Sequence, residues 1–203
     1  MEKPDALSKS DHARRLCAAL AYIALANLDR VNIRFFAAMS VGELGVARGK
    51  AQFHSVLKFL DAPPDADGPT RLLNAAQSLT QRARRRGLVF VLSDLFDPRG
   101  YEEPLSLLRH SQFDVHVLQI LAPEELAPAA TGDLSLREIE AGSVIDITAN
   151  EKLLRRYREE ITKFNDALES FCLRRGIAFA QVMTDTPFED VVLRALRDGV
   201  MIR

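Results

Sequence analysis

The sequence predicts an α/β fold in which a doubly wound, mainly parallel sheet has helices on both faces. Segments with apolar residues every three or four positions, typical of helices, alternate along the chain with short apolar runs, typical of strands. Residues 88–92 form one continuous apolar run, as expected for a strand covered on both faces of a parallel sheet. Strands that alternate with helices of this length favour parallel crossover connections.

The individual elements follow from the spacing of apolar residues and from the residues that punctuate them. The predicted strands are residues 31–37, 41–48, 88–92, 114–121 and 177–183. The predicted helices are residues 11–28, 52–60, 69–86, 102–110, 151–175 and 188–197. Ser10 is the expected N-cap of the first helix, Pro69 the expected opening of the third, and Gly87 its expected C-cap.

A β-hairpin is predicted as an insertion in this framework. Residues 134–147 alternate between apolar and polar side chains around a turn at residues 141–143. No internal repeat or low-complexity segment interrupts the sequence. We therefore expect a single domain over residues 1–203, with residues 134–147 as an inserted hairpin.

Composition and charge argue against several classes of protein. The 203 residues are 47% hydrophobic and 27% charged, which is typical of a globular domain. With 27 Lys and Arg against 28 Asp and Glu, no overall positive field attracts nucleic acid or anionic lipid. Cys17 and Cys172 are expected to be buried free thiols. No apolar run reaches transmembrane length, and the N-terminus lacks an apolar signal core. We expect a cytoplasmic protein that neither binds nucleic acid nor inserts into a membrane.

Oxygen-bearing side chains gather where predicted strands end. Ser93 and Asp94 follow one predicted strand and Asp185 follows the last one, while Thr70 lies in the first turn of the helix before Asp94. In parallel sheets, ligands bind beyond the carboxyl ends of the strands. Such oxygen atoms suit a hard divalent cation. The alternative is that Asp94 pairs with helix N–H groups and that Thr70 only starts its helix.

Four stretches together resemble a known protein family. They are ARRLCAALAYIALANLDR at residues 13–30, GPTRL at residues 68–72, RGLVFVLSDLFD at residues 86–97 and TDTPFE at residues 184–189. In this order and spacing they resemble the MoxR-associated family known as domain of unknown function fifty-eight, from about residue 7 to the C-terminus. The resemblance implies a von Willebrand A-like fold and work beside a MoxR-type AAA+ ATPase in complex assembly or maturation.

A von Willebrand A domain holds a divalent cation at a metal-ion-dependent adhesion site, and the resemblance implies which residues would form it here. Its ligands come from an Asp-x-Ser-x-Ser turn after the first strand, a Thr in a later loop and an Asp that ends the fourth strand. By resemblance, Thr70 and Asp94 fill the second and third of these places, with Ser93 and Asp185 nearby. The intact site keeps one metal position open for a partner's carboxylate.

The sequence departs from the family at its N-terminus. It has neither the first strand nor the Asp-x-Ser-x-Ser turn, and the acid and serines of residues 5–10 have the wrong spacing. We therefore expect weak or absent binding of Mg²⁺ or Mn²⁺, and no other cofactor. The two strands beside the missing one lose a hydrogen-bonding partner. Either these strands close up, or a partner supplies the strand, or the sequence is a fragment of a longer protein, and we favour the fragment.

Three hypotheses about function follow. The first is a non-enzymatic protein-interaction module whose partner is a MoxR-type AAA+ ATPase or another protein. The second is a metal-assisted hydrolase or phosphotransferase that uses Asp94 and Asp185, although no nucleophile, base or phosphate loop accompanies them. The third is a nucleic-acid binder that uses the arginines within residues 82–86, which the neutral overall charge disfavours. We expect the first, and no enzymatic activity.

Overall fold

The computed structural model describes residues 8–36, 40–63, 71–83, 86–128, 132–137, 144–149 and 151–191. The helices are α1 (Lys9–Ala26), α2 (Phe53–Asp61), α3 (Leu72–Arg82), α4 (Glu102–His110), α5 (Pro123–Leu126) and α6 (Glu151–Arg174). The strands are β1 (Arg30–Phe36), β2 (Ser40–Arg48), β3 (Leu88–Ser93), β4 (Asp114–Leu121), β5 (Gly132–Arg137), β6 (Val144–Ala149) and β7 (Ala178–Met183). None of the described helices is both long and apolar enough to cross a bilayer.

The central sheet has three parallel strands in the order β3, β4, β7. In register, Val91 of β3 lies beside Val117 of β4, which lies beside Phe179 of β7. Strand β4 is buried along its length except at Asp114, because it has a neighbouring strand on each side and helices on both faces. The predicted parallel arrangement is therefore confirmed for these three strands.

Helices cover both faces of this sheet. Successive strand residues point to opposite faces, so the clusters that they join show which helices lie on each face. On one face, Val91 and Val117 belong to a buried cluster with residues of α3, α4 and α6. On the other face, Leu92 and Ile120 belong to a cluster with Leu16 of α1. The molecule is thus a mixed α/β protein whose parallel sheet is covered on both sides.

Strands β1 and β2 form an antiparallel hairpin that is a separate two-stranded sheet. Val31, Ile33 and Phe35 of this hairpin pack against α1 and α2 in a cluster of their own. On the opposite face, Arg34 donates a hydrogen bond to Ser78 of α3 over 3.4 Å. Among the described residues, no strand is hydrogen bonded to the second edge of β1 or to that of β3. The β1–β2 hairpin and the β3–β4–β7 sheet are therefore separate sheets, with no hydrogen bonding described between β1 and β3.

The predicted N-cap of α1 is wrong by two residues. Ser8, and not Ser10, caps the helix, because the Ser8 hydroxyl accepts a hydrogen bond from the backbone N–H of Asp11 over 3.0 Å. The helix ends at Ala26, two residues before the predicted end, and Leu28 then adopts a φ of +62°. This left-handed residue turns the chain from α1 into β1.

The predicted ends of α3 also differ from the observed ones. The helix begins at Leu72, and Pro69 lies outside the described residues. It ends at Arg82, so Gly87 is not its C-cap. Gly87 lies just before β3 instead, where its carbonyl oxygen accepts a hydrogen bond from the backbone N–H of Asp114 over 3.0 Å. Gly87 thus belongs to the start of the parallel sheet and not to the end of α3.

The inserted hairpin and the last elements agree with the prediction where they are described. Strands β5 and β6 are antiparallel, with Leu134 opposite Ile147, and the predicted turn at residues 141–143 lies outside the described residues. Helix α6 is followed by Gly176 with a φ of +63°, as expected for a glycine after a helix end. Residues 188–191 are helical, and the rest of that predicted helix lies outside the described residues.

Both cysteines are free thiols, as predicted. Cys172 is buried in the cluster beneath α3, α4 and α6, and Cys17 is half-buried against the β1–β2 hairpin. Burial raises the pKa of each thiol to about 11, so both are protonated and unreactive at neutral pH.

Candidate functional site

The carboxyl ends of β3 and β4 meet the first turn of α1 at one edge of the parallel sheet. Ser93 ends β3 and Asp94 follows it, while Glu125 lies in α5, directly after β4. Lys9 is the first residue of α1. These four residues, together with Phe96 of the loop after β3, form what is called here the carboxyl-edge site.

Lys9 lies between the two carboxylates of this site. Its ammonium nitrogen Nζ lies 2.6 Å from Asp94 Oδ2 and 2.6 Å from Glu125 Oε1. The side chains of Lys9, Asp94 and Glu125 are 35%, 31% and 25% exposed, so a partner can reach them from solvent. Glu125 Oε2 accepts a further hydrogen bond from the backbone N–H of Ala122 over 2.8 Å, which fixes that carboxylate. Two carboxylates and one ammonium leave one formal negative charge in excess.

The surroundings of Lys9 stabilise its charged form. Burial lowers the pKa of Lys9, but hydrogen bonds to Asp94 and Glu125, and attraction to their charges, outweigh burial and leave the pKa raised. The ammonium also lies 5.7 Å from the centre of the Phe96 ring, which is within cation–π distance. Lys9 is therefore a fixed positive charge at physiological pH.

The loop after β3 is held in an uncommon backbone conformation. Leu95 has a φ of +63° and is 2% exposed, so a left-handed residue carries an apolar side chain into the core. Two local hydrogen bonds support this turn, because Ser93 Oγ accepts from Leu95 N over 3.1 Å and Asp94 Oδ1 accepts from Phe96 N over 3.2 Å. With Oδ1 engaged in the turn, Oδ2 of Asp94 faces Lys9.

Asp97 is a further acid of this loop, and it was not among the residues predicted for the site. Its Oδ2 accepts a hydrogen bond from the backbone N–H of Leu72, the first residue of α3, over 3.1 Å, and its Oδ1 accepts one from Arg99 N over 2.9 Å. Asp97 thus makes the helix N–H contact that the alternative prediction gave to Asp94. The available signal was an acid in the loop after a strand end, but its partner helix could not be known from spacing.

A buried glutamine of β4 forms a hydrogen bond with the loop that follows β3. Gln119 of β4 is 0% exposed, and its Nε2 donates to the carbonyl oxygen of Asp94 over 3.3 Å and to Oδ1 of Asn165 in α6 over 2.9 Å. Its Oε1 accepts a hydrogen bond from Nε2 of Gln181 in β7 over 3.1 Å. The sequence signal was a glutamine inside a largely apolar strand, since a buried amide requires partners.

The other residues predicted for a cation site are not joined to Asp94. Thr70 lies outside the described residues. Asp185 lies in an exposed turn after β7, and within the described part of the chain no hydrogen bond or ion pair links it to Asp94. The structure therefore brings together Ser93 and Asp94 from the predicted set, and adds Lys9 and Glu125.

His12 lies one turn into α1 and is buried, with 1% of its surface exposed. Neither ring nitrogen has a hydrogen-bond partner among the described residues. Burial and the charge of Arg15 lower the pKa of His12, and the charge of Asp185 acts in the opposite direction without reversing the shift. His12 is therefore a neutral ring at neutral pH.

The described residues do not fit the divalent cation that the resemblance implies. A cation at Asp94 Oδ2 would have to displace the ammonium of Lys9, which already bonds both carboxylates. The Ser93 hydroxyl is engaged in the turn at Leu95. Within the described ranges, no three His, Cys, Asp or Glu side chains are grouped to hold a metal. In this structure, Asp94 is the ion-pair partner of Lys9.

The arginine cluster that motivated the nucleic-acid hypothesis has contacts within the protein. Arg82 lies 3.4 Å from Glu43 of β2, and Arg86 lies over the ring of Phe113 at 5.2 Å. Residues 84–85 lie outside the described residues. The hypothesis itself stays a prediction that the described geometry does not strengthen.

A comparison with known protein families matches most of the chain. Residues 4–168 match the profile of a family described as "Protein of unknown function DUF58". This range includes helices α1 to α5, strands β1 to β6 and most of α6.

Curated relatives carry no established function in their names. Uncharacterized protein Rv1480 of Mycobacterium tuberculosis (strain ATCC 25618 / H37Rv) is 23% identical over 147 residues, which is 71% of this chain and 46% of that protein. Uncharacterized protein MAV169 of Mycobacterium avium is 25% identical over 107 residues, which is 52% of this chain and 63% of that protein. The chain thus spans about half the length of the first of these relatives.

Two solved structures share the fold. A conserved hypothetical protein, BatB from Bacteroides thetaiotaomicron, superposes with a TM-score of 0.55 at 15% identity, covering 95% of this chain and 87% of that chain. An aerotolerance-related membrane protein from Bacteroides fragilis NCTC 9343, with multiple mutations to serines, gives a TM-score of 0.53 at 16% identity, covering 94% and 87%. At such low identity the likeness concerns the fold alone.

Proposed function

We propose, from the premise that this chain belongs to the DUF58 family of proteins of unknown function, that it is a non-enzymatic protein-interaction module. The observation that carries the proposal is the pairing of Lys9 with Asp94 and Glu125 at 2.6 Å. Because an ammonium neutralises Asp94, the carboxyl edge offers a charged and partly exposed surface without a metal. We propose that partner recognition at this edge is independent of divalent cations.

The ammonium of Lys9 can contribute directly to such recognition. A lysine side chain has three N–H donors, and the described contacts use two of them, toward Asp94 and Glu125. The third donor suits a carbonyl oxygen on a partner. The neighbouring ring of Phe96 is partly buried and supplies an apolar surface beside the charge. A neutral partner carbonyl beside an apolar side chain fits this combination, because the site already carries one negative charge in excess.

We further propose that the domain is von Willebrand A-like, that it works in the cytoplasm, and that its partner is a MoxR-type AAA+ ATPase. The sequence resemblance is the source of these finer assignments. The observed order of α1, an antiparallel hairpin and then parallel strands supports the first of them. The carboxyl edge is also where, by that resemblance, such domains meet their partners.

Binding of a purified, nucleotide-free MoxR-type ATPase from the same genome tests the proposal. We expect equal affinity with Mg²⁺ and with EDTA in the buffer, since Lys9 takes the role of the cation. Lys9→Glu should weaken binding by about tenfold or more, because charge reversal places three carboxylates together. Lys163→Glu is the matched control, since Lys163 pairs with Glu160 on the exposed face of α6 at 2.9 Å.

Two results would contradict the proposal. Loss of binding in EDTA would mean that a metal is required. Equal weakening by the two lysine variants would mean that the effect of Lys9→Glu is one of overall charge and not of the carboxyl-edge site. Circular dichroism of each variant establishes beforehand that it is folded.

A further inference from the structure

We propose that the groove between α6 and the outer edge of β7 binds an extended, basic segment of a partner protein. The groove is a cavity of about 550 Å³ that residues of α5, α6 and β7 line. Its volume is in the range of ligand-binding pockets, roughly 300–1,000 Å³. It shares no residue with the carboxyl-edge site, so the inference goes beyond the proposed function and is tested separately.

Strand β7 presents backbone hydrogen-bonding groups along this groove. Within the described chain its one strand neighbour is β4. The backbone N–H of Thr184, directly after β7, donates to the carbonyl oxygen of Leu121 over 2.9 Å and so points toward β4. Since backbone groups alternate in direction along a strand, the N–H groups of Phe179 and Gln181 point away from β4. An open edge of this kind pairs with an added strand.

Helix α6 supplies an acidic wall beside this edge. Asp166 and Glu169 line the groove, and both are exposed. Among the residues that the structure describes, neither carboxylate has an ion-pair partner, and no basic residue lines the groove. Residues three apart are neighbours on a helix surface, where like charges repel each other. A lysine or arginine beside both carboxylates relieves this repulsion, so the charge of the groove favours a basic ligand.

Two side-chain amides of the lining suit the backbone of a peptide. Asn165 Oδ1 accepts a hydrogen bond from the buried Gln119, and its own N–H donors have no described partner. Gln181 Nε2 donates to Gln119, and its Oε1 has no described partner. A peptide unit offers a carbonyl oxygen to the first amide and an N–H to the second. Because Gln119 fixes both amides, they are already in place for such a ligand.

The remaining contacts of the groove are largely apolar. Leu126, Ile161 and Phe179 belong to the lining; Ile161 is buried and the other two are partly buried. Leu173 is 67% exposed and lies seven residues after Asp166, on the same face of α6. Apolar side chains on either side of the basic ones would therefore find contacts along the groove.

These features together describe one kind of occupant. Side chains of an extended segment alternate between two faces, so basic residues at alternate positions would all face the wall of α6. A segment that pairs with the six residues of β7 spans about 20 Å. An acidic segment would add negative charge beside Asp166 and Glu169. The partner segment is therefore extended, rich in strand-forming residues, and basic on one face.

Amide hydrogen exchange of the 203-residue chain, followed residue by residue, tests the inference. The probe is a blocked peptide of about eight residues, made of valine and threonine with lysine at two alternate positions. We expect the amides of Phe179 and Gln181 to exchange about tenfold more slowly in saturating peptide. The amides of residues 88–93 should be unchanged, because β3 lies at the opposite side of the same three-stranded sheet.

Substitutions on α6 test the acidic wall. Asp166→Lys should weaken peptide binding about tenfold, and Asp166→Asn, which removes the charge and keeps the shape, should weaken it less. Glu160→Lys is the matched control, because it makes the same charge change on an exposed part of α6 outside the groove. Lys9→Glu should leave peptide binding unchanged, which separates this test from that of the proposed function. Circular dichroism first establishes that each variant is folded.

Two control peptides test the mode of binding. A peptide methylated on its backbone nitrogens cannot donate the hydrogen bonds of a strand, so it should give no protection. A peptide with glutamate in place of lysine should not bind, because the wall of the groove is acidic.

Three outcomes would overturn the inference. Unchanged exchange of Phe179 and Gln181 in saturating peptide would mean that the groove accepts no strand. Equal weakening by Asp166→Lys and Glu160→Lys would mean that overall charge, and not the groove, attracts the peptide. Equal slowing at residues 88–93 would mean unspecific pairing with any open edge.

Discussion

Lys9 and Asp94 lie 85 residues apart in the chain, and a 2.6 Å ion pair between them joins the start of α1 to the end of β3. The resemblance implies that Asp94 binds a metal, and the structure instead places an ammonium at its free oxygen. Glu125 shares the same ammonium. Removal of Lys9 would leave two carboxylates facing each other without a counter-charge, which has consequences for both stability and cation binding.

Lys9→Met should destabilise the fold modestly and create affinity for a divalent cation. We expect a loss of about 1 kcal/mol, because the three side chains are a quarter to a third exposed and solvent screens their interaction. Mn²⁺ should raise the melting temperature of the variant but leave that of the unmodified chain unchanged. Lys163→Met, which removes an exposed pair on α6, is the control. Equal stabilisation of the unmodified chain by Mn²⁺ would contradict the prediction.

His12→Leu should make the protein less sensitive to acid. The pKa of His12 is lowered in the folded state, so the unfolded chain takes up a proton first as the pH falls below about 6.5. Folding stability is therefore lost as the pH falls from that value toward the lowered pKa. Leucine removes this loss, and urea unfolding at about pH 5 and about pH 8 should show a gain at the lower pH. His54→Leu, on the exposed face of α2, should show no such difference.

Gln119→Leu should cost about 2 kcal/mol of unfolding free energy, because Gln119 is fully buried and its three partners lose their hydrogen bonds. These partners are the carbonyl of Asp94, the amide of Asn165 and the amide of Gln181. Gln181→Leu is the control, since Gln181 is exposed and makes one of these bonds. Chemical denaturation measures both, and equal losses would show that the network has no special role.

Asp97→Ala should destabilise the start of α3 by about 1 kcal/mol, as expected when a side chain that accepts from a helix N-terminus is removed. Asp97→Asn keeps an oxygen acceptor for the N–H of Leu72 and should recover most of this loss. Thermal unfolding of the two variants gives the comparison. If asparagine were no better than alanine, the hydrogen bond to Leu72 would not be the source of the effect.

The hydrolase hypothesis makes a prediction of its own. We expect no turnover of phosphoesters or carboxylic esters above background in the presence of Mg²⁺ or Mn²⁺. A substrate screen with Asp94→Ala as the control decides the matter. Turnover that this substitution abolishes would favour the hydrolase or phosphotransferase over the interaction module.

The spacing of apolar residues predicted the strands well where both faces of a strand are buried. The continuous run at residues 88–92 and the strand at residues 114–121 are both parallel strands, because apolar residues on both faces are required only there. Helix ends were predicted less well. Ser8 and Ser10 are equally good caps by residue type, and residue type alone does not say which hydroxyl accepts from a helix N–H, as that of Ser8 does.

The candidate site was predicted only in part, because the sequence indicates where strands end but not how helices pack over those ends. Asp94 was identified because the end of a buried strand fixes its place at the sheet edge. Lys9 and Glu125 were not, since their contact depends on how α1 and α5 lie over that edge and not on any spacing in the sequence. Gln119 donates a hydrogen bond to the backbone carbonyl of Asp94. The only sign of this in the sequence was a polar residue inside an otherwise apolar strand.

Helix α1 couples parts of the molecule that share no strand pairing. Its 18 residues extend about 27 Å, with Lys9 in the carboxyl-edge site at one end and Leu25 packed on the β1–β2 hairpin at the other. A partner that binds at Lys9 therefore contacts the same rigid element that forms the core of the hairpin, although the two regions share no strand pairing.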